Sequence, residues 1–127
     1  MSIVKPGRSF EAGEPPSPEL MQAIGKLTEE QMKAGVVLET GGLFPTAMGA
    51  RVKVANGKVT VIDGPFAEVK EVIGGYAVLQ ADSKAEAVEL ARQFMQVHVD
   101  ILGPSYEGEC EVRQMFEAGD CGPKSRK

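Results

Sequence analysis

The segment IGGYAVLQA, from Ile73 to Ala81, constrains the fold more than any other. Its length and its β-forming residues predict a strand. Alternation puts Tyr76 and Val78 on one face and Ala77 and Leu79 on the other. A strand apolar on both faces is central in its sheet and covered twice. The rest of the chain offers two amphipathic helices, which can cover one face. A second copy of the chain is the expected cover for the other.

The first helix opens at Ser17-Pro18-Glu19, which reads as an N-cap, a proline at the first helical position and a first-turn acid. It is predicted to run to Ala34, with Gly35 as its C-terminal cap. Leu20, Met21, Ile24, Leu27 and Met32 share its apolar face, while Thr28 and Gln31 lie as polar breaks within that stripe. Ser83 and Glu86 form a capping box for the second helix, predicted to about Asp100. Val88, Ala91 and Met95 line one side, with Leu90, Phe94 and Val97 beside them.

Between the helices, Val36 to Phe44 starts as a strand and is interrupted at Gly41-Gly42. Ala50–Ala55, Asn56-Gly57 and Lys58–Ile62 form the sharpest local signal. A two-residue Asn-Gly loop favours a type I′ hairpin. Its register pairs Val54 with Val59 and Val52 with Val61, on the face predicted to point inward. Arg51, Lys53, Lys58 and Thr60 take the other face. MSIVK reads as a short first strand. Glu109 to Glu117 reads as the last strand, with Cys110, Val112, Gln114 and Phe116 inward. The order strand, helix, hairpin, strand, helix, strand gives an α+β layer similar to a ferredoxin-like sandwich. One domain over residues 1–120 and a mobile tail over 121–127 are expected.

At 127 residues the chain can bury a sizeable core without staples. A net charge of −4 gives no basic face for nucleic acid. No apolar run approaches the roughly 20 residues of a membrane span, and the N-terminus has no secretory h-region. Cys110 and Cys121 form neither a CxxC nor a metal-ligand spacing, so a reducing, cytoplasmic setting is expected. No metal or other cofactor is expected.

DGPFAEVKEVIGGY, from Asp63 to Tyr76, resembles the DGPF signature of the YCII-related family. Asp63, Gly64, Pro65, Phe66, Glu68, Lys70, Glu71, Gly74, Gly75 and Tyr76 carry the match. KAGVVLETGGLFPTAMGARVKVANGKVTV is similar to the family's helix end, its G-L-x-P loop and its hairpin, and ECEVRQMFEAGD to its last strand. The resemblance implies a ferredoxin-like unit that pairs through its sheets as a dimeric α/β-barrel. It also implies a gene-level link of DGPF members to extracytoplasmic-type sigma factors. The histidine–aspartate pair of the family's enzyme-like members has no counterpart, because His98 is the single histidine.

Asp63-Gly64-Pro65-Phe66 has two readings. As a turn, glycine frees one backbone angle, proline fixes the next, Asp63 bonds the turn's N–H groups and Phe66 anchors it. As a site, Asp63 continues the inward face of Val59 and Val61 and faces a ligand at the mouth of a cleft. Lys70 joins a solvated charge run with Glu68 and Glu71, pairs with Asp63 across the turn, or holds an anionic ligand. Gly74-Gly75 marks a bulge or a close approach. Tyr76, Gln114, Gln31 and Thr28 either satisfy one another in the core or line a pocket. His98 is expected against the dipole at its helix end, Cys110 inward and inert. Two functions follow: a small-molecule binder or weakly defined enzyme using Asp63, Lys70 and Tyr76, or a regulatory partner of a sigma factor or stress response.

Overall fold

The computed structural model describes residues 1–7, 10, 12–65 and 71–116. Phe66, Glu68, Lys70, Glu117, Cys121 and the 121–127 tail therefore lie outside the described residues.

Strand β1 (Ser2–Lys5) leads to helix α1 (Pro18–Lys33) and strand β2 (Val37–Gly42). A 3₁₀ turn at Thr46–Met48 precedes β3 (Ala50–Ala55) and β4 (Lys58–Asp63). Strand β5 (Gly75–Leu79), helix α2 (Lys84–Leu102) and β6 (Glu109–Val112) complete the order. Four strands form an antiparallel sheet in the order β2-β5-β1-β6, and β3 and β4 form a separate two-stranded sheet. Set aside that hairpin, and the strand and helix order is ferredoxin-like.

Local chemistry fixes both helices. Ser17 Oγ accepts from the Leu20 N–H at 3.2 Å, and Gly35 follows the helix end at φ +79°. Ser83 Oγ accepts from the Glu86 N–H at 3.2 Å. The return bond of the capping box reaches one residue further back, from the Asp82 N–H to Glu86 Oε1 at 2.9 Å. Helix α2 runs two residues past the expected Asp100 and stops at Gly103, whose φ is +91°.

The covered face of the sheet carries Ser2, Val4, Val37, Ala77, Leu79, Cys110 and Val112, and the register places these on one side. Val37 and Ser2 are buried there, and Leu20 of α1 and Ala91 of α2 are buried with them. The packed stripe of α1 is Leu20, Ile24, Leu27 and Gln31, with Thr28 beside it. Met21 and Met32, expected in that stripe, are exposed, as is Val88 of α2. The stripe is narrower than the run of apolar residues because one sheet face engages only about a third of a helix's circumference.

The opposite sheet face carries Ile3, Lys5, Tyr76, Val78 and Glu111. Strand β5 is central, as expected, but shorter than Ile73–Ala81, and all five of its residues are half-buried. The bulge lies elsewhere than Gly74-Gly75: the register slips between Val37 and Glu39, at Leu38 of β2. The glycines serve close approach instead. A Cβ on Gly74 would stand 2.6 Å from Pro6 Cγ, and one on Gly75 would stand 3.0 Å from the Gly41 carbonyl oxygen.

The hairpin register is as expected, with Val54 opposite Val59 and Val52 opposite Val61. Asn56 at φ 55° and Gly57 at φ 75° form the turn. The facing is not as expected. All twelve residues of β3 and β4 are exposed, so the valines do not point into this chain's interior. Alternation gives two faces of a ribbon but cannot tell whether either one meets a core. Strand β6 ends at Val112, so Gln114 and Phe116 lie beyond it and are exposed rather than inward.

Candidate functional site

The GLFP loop and the DGP turn are tied together by backbone bonds. The Leu43 N–H donates to the Gly74 carbonyl at 3.0 Å, pinning the loop to the start of β5. The Met48 N–H donates to Pro45 at 3.0 Å and the Gly49 N–H to Thr46 at 2.9 Å, which closes the 3₁₀ turn. The Gly64 N–H then donates to the Gly49 carbonyl at 2.9 Å. The Thr46 carbonyl oxygen occupies the place that a Cβ on residue 64 would need. Glycine stands in this motif because another backbone passes over it. The following Gly64–Pro65 peptide is cis.

This arrangement forms a shallow cleft of about 470 Å³ that is largely open to solvent. Leu43, Phe44, Pro45, Met48, Val72 and Ile73 supply an apolar lining. Arg51 and Glu71 bring opposite charges to the same cleft. Val72 is buried and anchors the floor, while Phe44 and Met48 are 77% and 70% exposed at the lip. An apolar wall with a few convergent polar groups is the usual make-up of a small-molecule site. A second depression, lined by Gly25, Thr28, Glu29, Met32 and Lys33, is the outer surface of α1 and has one wall.

The residues singled out from sequence are not gathered in one place. Asp63 ends β4 and pairs with Ala50, a cleft residue, but its own side chain is exposed rather than facing an enclosed cleft. Tyr76 lies on the open sheet face, its ring over Gly41, where an added Cβ would come within 2.6 Å of Cε1. Its hydroxyl donates to Glu39 Oε2 at 2.7 Å, and that bond raises the phenol above its ordinary range. Thr28 and Gln31 sit on α1, where Gln31 Nε2 is buried without a partner. Gln114 is exposed past β6. Phe66 and Lys70 lie outside the described residues. The cleft residues that sequence reasoning missed had a signal: leucine, phenylalanine and methionine stand exposed in a Gly/Pro-rich loop, where polar residues are usual.

A buried polar cluster lies under α2. His98 is not at the helix end facing the dipole; it is buried, with Nδ1 3.0 Å from the Phe94 carbonyl. Its ring stacks on Tyr106 at 5.1 Å and meets Phe94 edge-on at 4.9 Å. Burial lowers its pKa. Cys110 Sγ lies 2.9 Å from Ser2 Oγ, half-buried on the covered face as expected. Among the described residues, no three His, Cys, Asp or Glu side chains are placed to hold a metal ion, and no helix is long and apolar enough to cross a membrane.

A sequence model of the YCII-related domain matches residues 3–101. An uncharacterized protein of Rhizobium meliloti (strain 1021) is 30% identical over 96 residues, covering 76% of this chain and 73% of that protein.

Proposed function

The chain belongs to the YCII-related family, and on that premise we propose that it is a small-molecule-binding protein, dimeric through the open face of its four-stranded sheet. The cleft at the DGP turn carries the reading. It selects a compact, mostly apolar organic molecule with one polar head, because apolar residues line it and Arg51 and Glu71 supply the polar contacts. Asp63 pairs with the cleft residue Ala50, so its exposed carboxylate would add negative charge beside the rim. Phe66 and Lys70, later in the same sequence motif, are its remaining candidates, while Tyr76 would belong to the dimer face. No reaction step is assigned.

The test is fluorescence titration with anilinonaphthalene sulfonate, an apolar aromatic anion, alongside a thermal-shift series of aromatic and short aliphatic carboxylates. Met48→Glu puts a charge on the apolar lip at an exposed position, so folding is spared. It is expected to weaken binding at least about tenfold, the cost of one unpaired charge at an apolar contact. Asp63→Asn keeps shape and removes charge, and is expected to change anion affinity without moving the unliganded thermal midpoint. Equal binding by parent and Met48→Glu would remove the cleft as the site.

A second reading is a regulatory protein acting through a sigma factor of the extracytoplasmic type or a stress-response partner. The exposed valines of β3 and β4 support it, since contiguous exposed apolar surface marks protein contacts.

A further inference from the structure

The arm formed by β3 and β4 is a complete six-pair ladder with no core of its own. A two-stranded hairpin alone in water is marginally stable at best. Val52, Val54, Val59 and Val61 share one face and are each between 66% and 75% exposed. Arg51, Lys53 and Lys58 occupy the reverse face. This is the pattern of a ribbon lying on something, apolar side down and charged side to water.

We propose that the valine face of this arm is an interface with a second copy of the chain, each arm lying across the other copy. The inference rests on the dimer reading above and extends it, because the sheet face alone is too small. Four strands spaced about 4.8 Å apart and some five residues long present roughly 300 Å² in projection, against about 800 Å² per partner in a standard interface. Each arm adds twice, once for its own face and once for the surface it covers.

Charge favours the same occupant. The arm, residues 50–63, carries three cations and one acid. The remainder of the chain carries eleven cations and seventeen acids. A basic arm is thus drawn to the acidic body of another copy.

The experiment is sedimentation velocity on the full chain from 0.1 to 100 μM, as orders of magnitude that span common dimer affinities. The variant Val54→Lys with Val59→Glu replaces one of the two cross-strand valine pairs by an ion pair, which keeps the ladder and halves the apolar face. Circular dichroism checks that the body stays folded. Val78→Glu serves as the separate probe of the sheet face. The expected result is a dimeric parent whose dissociation constant rises about 100-fold or more in the arm variant, since the symmetric dimer loses four valine contacts. A dimer unaltered in the arm variant but dissociated by Val78→Glu overturns the arm interface and leaves the sheet interface standing. A parent monomeric throughout overturns both, and assigns the valine face to a different protein.

Discussion

His98 is held neutral by where it sits. Phe94 and Tyr106 pack against its ring and burial disfavours the imidazolium, so its pKa lies below the ordinary value of 6.5. The Nδ1 contact with the Phe94 carbonyl opposes the shift without cancelling it. In the unfolded chain the histidine takes up a proton near its ordinary value, so the unfolded state binds more protons in the acidic range. Stability is then full above about pH 6.5 and falls as pH drops below it. Glu89, paired with Arg92 at 2.7 Å, is lowered to about 2 and loses its own contribution only in a more acidic window, below its ordinary 4.5. Between about pH 5 and 6.5 the slope therefore belongs to His98. The thermal midpoint of the parent should fall across that interval, and that of His98→Phe, which keeps the ring packing, should stay nearly flat. Equal slopes would mean the imidazole is as accessible folded as unfolded. None of this was legible in sequence, where a lone histidine near a helix end reads as a dipole partner. The ring that buries it, Tyr106, comes from a loop whose path only the fold sets.

The β3–β4 hairpin shows which part of an element sequence determines. Asn56-Gly57 sets the turn and the turn sets the register, so every valine pair was predictable from about ten residues. Gly57→Val forces a β-branched side chain to φ 75° and should cost about 1–2 kcal/mol, read as a lower denaturant midpoint. An unchanged midpoint would mean the arm opens independently of the body. What ten residues could not reveal is what the ribbon lies on. That depends on partners far away in sequence, or in another molecule, so the inward facing drawn for Val59, Val61 and Asp63 failed within this chain. Caps behaved like turns: Ser17 and Ser83 act within three residues and were both legible. Gln114 failed for the opposite reason, since the end of β6 is fixed by β1, which pairs through Lys5 to Glu109 and Ser2 to Val112 and stops there as a ladder. At the cleft, the motif located the turn, while the lining came from a loop twenty residues earlier that reads as a connection.

Across the whole molecule the core is thin for its length. The buried apolar side chains among the described residues are Leu20, Val37, Val72 and Ala91, and no large side chain there is fully buried. Leu43, Phe44, Met48, Ile62 and the four arm valines stay in water instead. Folding must offset conformational entropy of about 1–2 kcal/mol per residue chiefly by burying apolar area. If the missing burial comes from the proposed dimer, folding is linked to concentration. Unfolding of a dimer releases two chains, so diluting the protein favours the unfolded state. Each tenfold dilution weakens the dimer by about 1.4 kcal/mol, which for some 250 folded residues lowers the thermal midpoint by about 3 °C. Calorimetry over a hundredfold concentration range, at constant pH above 7 so that His98 stays neutral, measures it directly. A midpoint that rises with concentration makes the dimer the folding unit. A constant midpoint would make the single chain that unit, with its valines and its open sheet face in water at every concentration.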